Sequence, residues 1–368
     1  MPGRDITRPL SERAGQIVCL LVLLICAGSL LQAPAQLQAS SEQSQQKGSS
    51  PDSQNKTPQN PDSQKPDSQK PESQKKESQQ GNDDNGVFVF RKDVDEVLLH
   101  ATVVDDHQHI VTNLDKTAFN VFEDGKQQNI VSFQHEDIPV AMGILIDNSG
   151  SMREKRAKVN QAALNLVRSS NPQDEVFVVN FNDEYYLDQD FTNNLLRLKD
   201  ALEKIDAKGG TALYEAVVAS AEHLKRNARL EKKVLFVVTD GEDNASRETL
   251  EQAVKQLQEE NGPQVYAIGV LGDEEHPKRA KRALDIIAQR TGGIAFFPKT
   301  LDDVDEISRQ VAHDIRNQYT IGYKPTNPRG NGGFRQVRVE AKGKGRTKLV
   351  VRTKSGYYAG PQPAAGTK

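Results

Sequence analysis

Short apolar runs and amphipathic stretches alternate through the middle of the chain, from Val140 to about Asn317. Five runs are short and closed by turn residues, which is typical of strands covered on both faces of a sheet: Val140–Ile146, Glu175–Phe181, Lys233–Thr239, Gln264–Val270 and Ile294–Phe297. Six stretches repeat apolar residues at helical spacing: Arg153–Ser169, Leu195–Ile205, Leu213–Asn227, Glu248–Glu260, Lys278–Arg290 and Leu301–Arg316. The alternation predicts an α/β domain over residues 140–317, with helices on both faces of a mostly parallel sheet.

The segments on either side, residues 87–139 and 318–358, have the pattern of β structure. Short runs rich in β-branched and aromatic residues predict strands at Glu96–Asp105, Phe119–Glu123, Asn129–Phe133, Tyr319–Tyr323, Gln336–Glu340 and Lys348–Arg352. Asp124-Gly125 predicts a hairpin between the second and third of these, and Gly343-Lys344-Gly345 a turn between the last two. Since so few strands bury little alone, we expect both segments to form one small β domain beside the α/β core.

The first 40 residues have the pattern of an export signal. Three arginines precede the apolar run Ile17–Leu31, and Ala33-Pro34-Ala35 offers a small-x-small cleavage site. A spanning helix needs about 20 apolar residues, and this run is shorter. We therefore expect an exported protein that is periplasmic, on the cell surface or secreted. An uncleaved anchor is the alternative, and contact with a membrane is expected only in that case.

Residues 41–86 repeat one short sequence motif, as in Pro61-Asp62-Ser63-Gln64-Lys65 and Pro66-Asp67-Ser68-Gln69-Lys70. Almost nothing in this segment is apolar, so burial cannot offset the entropy lost on ordering it. It is predicted to be a disordered linker, with a peptide-binding repeat as the alternative. Residues 359–368 are predicted to be a disordered tail.

Composition and charge narrow the class of partner only slightly. The formal net charge of −3 does not mark a nucleic-acid binder, and no nucleic-acid partner is expected. Both cysteines, Cys19 and Cys26, lie in the predicted signal. If that signal is removed, the remaining protein has no disulfide and depends on its core for stability.

Three separated loops carry oxygen ligands. Asp147-x-Ser149-x-Ser151 follows the first core strand, Gly209-Gly210-Thr211 precedes a helix, and Thr239-Asp240-Gly241-Glu242-Asp243 lies at the end of a later strand. Glu242 and Asp243 could tune the charge of the site, but such residues usually cap the next helix or face solvent, so they are not counted as ligands. Because the ends of parallel strands meet at one edge of a sheet, these loops can share a crevice. Hydroxyls and carboxylates suit Mg²⁺, with Ca²⁺ or Mn²⁺ possible. The alternative is that the two serines cap the next helix while Asp240 starts a turn.

In this order and on these elements, the three loops resemble those of a von Willebrand factor type A domain. The resemblance implies a Rossmann-like, doubly wound fold and a metal-ion-dependent adhesion site at Asp147, Ser149, Ser151, Thr211 and Asp240. The flanking segments Phe119–Gly125 and Gln318-Tyr319 are similar to a bacterial, acidobacterial-type branch of exported proteins with this domain.

Neutral hydroxyl ligands would leave a bound ion much of its positive charge, so an acidic side chain of a partner protein is the expected ligand. The predicted function is thus an exported adhesion or protein-binding module, with no catalytic residue. A metal-dependent hydrolase or phosphotransferase is the first alternative, although Ser149 stands where an aspartyl phosphatase has its second Asp, and Asp147 where a Gly-x-Ser-x-Gly elbow has its first Gly. A structural subunit of an envelope complex is the second. His107-x-His109 has the spacing of a metal pair, but its place between strands predicts a solvated loop.

Overall fold

The structure is a computed structural model that describes residues 96–203, 207–272, 277–327, 333–343 and 348–360. The predicted export signal, the linker and most of the predicted tail lie outside these residues. The strands are β1 (Val97–Val104), β2 (Phe119–Glu123), β3 (Lys126–Gln128), β4 (Ile130–Gln134), β5 (Val140–Asp147), β6 (Glu175–Phe181), β7 (Tyr185–Thr192), β8 (Lys232–Thr239), β9 (Gln264–Gly269), β10 (Ala295–Phe296), β11 (Tyr319–Tyr323), β12 (Gly333–Ala341), β13 (Val350–Arg352) and β14 (Gly356–Ala359). The helices are α1 (Arg156–Ser169), α2 (Leu195–Glu203), α3 (Leu213–Asn227), α4 (Leu250–Leu257), α5 (Pro277–Thr291) and α6 (Asp303–Arg316).

Six strands form the central sheet in the order β10-β9-β8-β5-β6-β7, and all neighbours are parallel except the pair β6 and β7. Helices α1, α2 and α6 cover one face, and α3, α4 and α5 cover the other. Every residue of β5 is buried, as its unbroken apolar run requires for a strand covered on both faces. The predicted doubly wound, mostly parallel fold is confirmed.

The strand order reverses beside β5. The chain leaves β5 toward β6 and β7 on one side, then returns to β8 on the other side. The loops after β5 and β8 therefore diverge at their carboxyl ends and leave a crevice there, which is where open α/β sheets bind ligands. Asp147 ends β5, and Asp240 directly follows β8.

The flanking segments combine as predicted, in two antiparallel sheets of four strands. Their orders are β13-β1-β11-β4 and β14-β12-β2-β3. One apolar core is shared by side chains of both sheets, including Leu99, Val121, Ile321, Val339 and Tyr357. We call this pair of sheets the sandwich. It contains strands from before and after the α/β domain, so neither flank buries its apolar face alone.

Two strand pairings expected from the sequence are wrong. Asp124-Gly125 does form a hairpin turn, with both residues at positive φ, but the partner strand is β3, and Ile130–Gln134 crosses to the other sheet to pair with β11. Likewise β12 pairs with β2 and β14, whereas β13 pairs with β1. A hairpin turn fixes only its nearest residues, and the apolar faces of the later residues are buried better across the sandwich.

A buried carboxylate ties the two sheets of the sandwich together. Glu123 accepts hydrogen bonds from the hydroxyls of Tyr323 (2.6 Å) and Tyr357 (2.9 Å), and Arg335 donates to it at 3.0 Å. Burial raises the pKa of both tyrosines, so they remain proton donors. The charge of Glu123 is therefore balanced and its oxygens are hydrogen-bonded, which is the condition for a stable buried ion pair.

None of the helices in the described ranges is long and apolar enough to cross a membrane.

Candidate metal site

Asp147 is held rigidly at the carboxyl end of β5. Its side chain is fully buried. One carboxylate oxygen, Oδ1, accepts a hydrogen bond from the backbone N–H of Ser149 at 2.7 Å, and Oδ2 accepts one from the hydroxyl of Thr239 at 2.6 Å. The first bond bends the chain into the loop that follows β5, and the second joins β5 to β8.

Burial, with a smaller contribution from the nearby charge of Asp240, raises the pKa of Asp147 to about 6 against the opposing effect of the hydrogen bonds from Thr239 and Ser149. The direction shows that the protein alone solvates this carboxylate poorly. A cation in the crevice would favour the ionised form of Asp147.

The serine hydroxyls connect the first loop to the third. Ser149 Oγ lies 3.1 Å from Ser151 Oγ, and Ser151 Oγ donates to Asp240 Oδ1 at 2.9 Å. The other oxygen of Asp240 contacts the ammonium group of Lys155. Asp240 is fully buried, whereas Ser151 is exposed. The oxygens thus form a continuous set that is open to solvent at Ser151.

The loop after α2 is fastened to its neighbours by backbone contacts. The carbonyl of Gly209 accepts from Gly150 N–H at 3.2 Å, and Asp183 Oδ1 accepts from Gly210 N–H at 2.8 Å. Gly209 has φ +79°, and a Cβ there would overlap the carboxylate of Asp183 at 2.1 Å. Only glycine meets both conditions at position 209, which explains the first residue of the Gly-Gly pair.

Thr211 is brought to the same place by this loop. Its N–H donates to Asn244 Oδ1 at 2.8 Å, and its carbonyl accepts from the N–H of Asn244 at 3.0 Å. Its hydroxyl lies 3.6 Å from the position that a Cβ on Gly241 would occupy, so it faces the residue directly after Asp240. The side chain is buried.

The structure therefore brings all the predicted site residues to one edge of the sheet: Asp147, Ser149, Ser151, Thr211 and Asp240. Their role as metal ligands stays a prediction. The capping alternative finds no support at Ser149, whose side chain makes no capping bond to the short 3-10 turn Gly150–Met152.

Several residues that shape the site are outside the predicted ligand set. Thr239 and Asn244 hold Asp147 and Thr211, and Lys155 contacts Asp240. A polar residue at the end of an otherwise apolar strand was the available signal for Thr239. Asp243, which the sequence left undecided, accepts hydrogen bonds from Tyr214 N–H and the Ser246 hydroxyl at the start of α3.

The donor set fits a hard divalent cation. Every candidate ligand is an oxygen, two of the groups are carboxylates, and one hydroxyl is open to solvent. Mg²⁺, Ca²⁺ and Mn²⁺ prefer such ligands. Ser149, Ser151 and Thr211 would hold the ion directly, and Asp147 and Asp240 would hold it through their hydrogen bonds or water.

A second group of possible metal ligands lies on the loop after β1, well before Asp147 in the sequence. One ligand atom each from Asp105, Asp106 and His107 lies within reach of one ion. His107 and His109 stack with ring centroids 6.0 Å apart, and their side chains are 74% and 79% exposed. This is the solvated loop that the sequence predicts, and exposed groups of this kind are common without a metal.

A doubly wound sheet with oxygen-bearing loops at its switch point defines a ligand-binding α/β domain of the Rossmann-like class. Residues 142–242 match the family model of the von Willebrand factor type A domain, and the chain carries such a domain. Proteins with this domain are typically binding or adhesion modules. The match does not extend to the acidobacterial-type branch, which stays a prediction.

Solved structures with a similar fold include a von Willebrand factor type A protein from Catenulispora acidiphila, with 13% identity over 73% of this chain and 74% of that one and a TM-score of 0.43. BatB from Bacteroides thetaiotaomicron has 20% identity over 48% of this chain and 98% of that one, with a TM-score of 0.39. Proximal thread matrix protein 1 from the mussel byssus, with a zinc-occupied MIDAS motif, has 17% identity over 53% and 50%, with a TM-score of 0.42. A search of curated protein sequences finds no match to the chain.

Proposed function

We propose that this protein is an exported, metal-dependent binding module, and not an enzyme, in which a divalent cation captures an acidic side chain of a protein partner. The observation that carries the proposal is the convergence of serine and threonine hydroxyls and two buried aspartates on one edge of the sheet, with Ser151 open to solvent. Mg²⁺ is the expected ion, with Ca²⁺ or Mn²⁺ as alternatives.

The charges around the site favour an acidic ligand. The negative charges of Asp147 and Asp240 are already opposed by Lys155, which contacts Asp240, and by Arg156, whose guanidinium interacts with Asp147. Arg156 also faces Asp188, so the three carboxylates and two cations have a net charge of −1, and an added divalent cation leaves a surplus of positive charge. A carboxylate from a partner would neutralise part of that surplus and form a charge-assisted bond to the ion.

The environments of the histidines favour binding over hydrolysis. His100 lies 3.2 Å from the Thr320 hydroxyl, and His223 lies 2.9 Å from Asp190. Neither histidine has a hydrogen-bond partner among the five site residues, so neither contact prepares a general base for the candidate site. The phosphotransferase alternative also lacks its second aspartate, because Ser149 stands at that position.

The first test is a calorimetric titration of the purified protein with MgCl₂, with Asp147→Asn as the variant. Asn keeps an acceptor for Ser149 N–H and removes the charge, so the fold should persist while Mg²⁺ affinity falls by about 10–100-fold or more. Asp200→Asn, on the exposed face of α2 and outside both groups of possible ligands, is the matched control. Equal Mg²⁺ affinity in wild type and Asp147→Asn would exclude the proposed site.

The second test is an affinity capture from the native envelope, with and without a chelator. A partner held through the ion should be released by the chelator and should not bind Asp147→Asn. Capture that a chelator leaves unchanged contradicts the adhesion mechanism. If chelation lowers the melting temperature but no carboxylate ligand binds, the ion has a structural role only. Turnover of a generic phosphate or ester that is lost in Asp147→Asn would instead favour the hydrolase.

A further inference from the structure

Three consecutive large side chains are exposed on the edge strand of the α/β sheet. Tyr185, Tyr186 and Leu187 are 49%, 42% and 48% exposed. They belong to β7, and within the described residues no strand pairs with its outer edge. Folded proteins usually protect such an edge with charges or cover it, so an apolar run here indicates an interaction surface.

The sheet register fixes the position of this run relative to the candidate metal site. Asp147 lies opposite Phe181 on β6, and Phe181 lies opposite Tyr185 on β7. Neighbouring strands are about 4.8 Å apart, so Tyr185 lies roughly 10 Å across the sheet from Asp147. The β6–β7 turn is also tied to the Thr211 loop, because Asn182 O accepts from Ala212 N–H at 2.6 Å.

A groove of about 510 Å³ separates Tyr185 from α3. Its walls combine Tyr185 and two small apolar side chains with three carboxylates, one guanidinium, an amide and the imidazole of His223, which pairs with Asp190: Val218, Ala219, Glu215, Glu222, Glu248, Arg226 and Asn227. Arg226 donates to Glu222 at 2.7 Å, so the remaining charge of these groups is negative. The groove therefore suits an apolar side chain accompanied by a cation.

We propose that this groove and the exposed edge of β7 bind the same partner segment as the metal ion. The segment is an extended peptide with one acidic residue for the ion and an aromatic or aliphatic residue for the groove. An extended peptide rises about 3.3 Å per residue, so the distance of roughly 10 Å between Asp147 and Tyr185 corresponds to about three residues. The acidic residue and the apolar residue of the peptide are therefore expected to be about three positions apart. Lys or Arg next to the apolar residue faces the groove carboxylates. This inference rests on the proposed function and specifies the partner that it needs.

The test uses the whole chain and a displayed library of short random peptides around one fixed Asp. Peptides are captured in MgCl₂ and eluted with a chelator, then sequenced and measured individually by fluorescence anisotropy. The eluted peptides should carry an aromatic or aliphatic residue about three positions from the Asp. Their affinity for the Tyr185→Ser variant should be about tenfold lower than for wild type, because the variant loses the apolar contact between the tyrosine ring and the peptide. Leu196→Ser, at a 72% exposed leucine outside the groove, is the matched control and should have no effect.

The outcomes separate this inference from the function on which it rests. Chelator-eluted peptides that bind Tyr185→Ser as tightly as wild type would overturn the groove and leave metal-dependent capture intact. Peptides that need Tyr185 but ignore the chelator would overturn the link between groove and ion. If the chelator elutes no peptide and MgCl₂ gives no calorimetric signal, the proposed function fails, and this inference fails with it.

Discussion

Lys155 and a bound cation would share one carboxylate, and replacing Lys155 with Met measures the consequence. The ammonium group contacts Asp240 Oδ2; the Lys155 side chain is 19% exposed and that of Asp240 is fully buried. Met keeps most of the stem volume and removes the charge. Asp240 retains its hydrogen bond from Ser151, so the site loses repulsion toward a cation and little of its shape.

The expected gain in Mg²⁺ affinity follows from Coulomb's law. A divalent cation held by the Ser151 hydroxyl and the ammonium group on the other oxygen of Asp240 are separated by roughly 8 Å, and at the dielectric constant of water they repel by about 1 kcal/mol. Removing that repulsion tightens Mg²⁺ binding about fivefold. Because the site is partly buried, where the effective dielectric constant is lower, about fivefold is the lower bound.

The assay is titration calorimetry with MgCl₂, together with thermal unfolding in Mg²⁺ and in chelator. Without the ion, Lys155→Met leaves a buried carboxylate with one cation fewer, so its melting temperature in chelator should fall below that of wild type. Lys158→Met is the matched control, because Lys158 lies in the first turn of α1, close to Lys155 in the chain, and pairs with Asp302 on the surface. Equal or weaker Mg²⁺ binding in Lys155→Met would refute the reasoning and identify Lys155 as a group that positions Asp240.

Two further predictions concern stability. Burial raises the pKa of Asp174 from 3.8 to about 6, so its ionisation destabilises the fold by about 3 kcal/mol, a penalty that is absent below pH 4 and complete above pH 6. The free energy of unfolding of Asp174→Asn relative to wild type should therefore rise by about that amount from pH 4 to pH 7, and a constant difference would contradict the assignment. Glu123→Gln removes the buried charge that Arg335 faces and should cost about 3–5 kcal/mol in denaturant unfolding, against less than about 0.5 kcal/mol for Glu203→Gln in an exposed pair. Comparable losses in both variants would contradict the role of the buried pair.

The core of the fold was predictable because its strands are buried on both faces. Unbroken apolar runs such as Val140–Ile146 can only be central strands once helical patterns alternate with them. The edge strand β7 was not predicted, because it lacks the burial on both faces that produces an unbroken apolar run. Its residues are half-buried at most, it mixes Asp188 and Asp190 with aromatics, and its pairing with β6 is irregular. Burial, which carries the sequence signal, is weakest at an edge.

The part of the site that depends on strand topology was predictable from the sequence. Loops after neighbouring parallel strands must meet, so Asp147 and Asp240 could be placed together without coordinates. The contact of Lys155 could not. The apolar pattern predicts a helix from Arg153, whereas α1 begins at Arg156 and the preceding residues form turns. Lys155 lies in these turns, and helical periodicity contains no information about its contact with Asp240.

The pairing of β4 with β11 has a consequence for the order of folding. These adjacent strands are separated by the whole α/β domain, roughly 180 residues, so pairing them across an unfolded chain would require closure of a very long loop. The folded α/β domain replaces that loop with a rigid connector, because Asp137, just before β5, accepts a hydrogen bond at 2.7 Å from Arg316 at the end of α6. The first sheet of the sandwich should therefore assemble after the α/β domain, and should be lost whenever that domain unfolds.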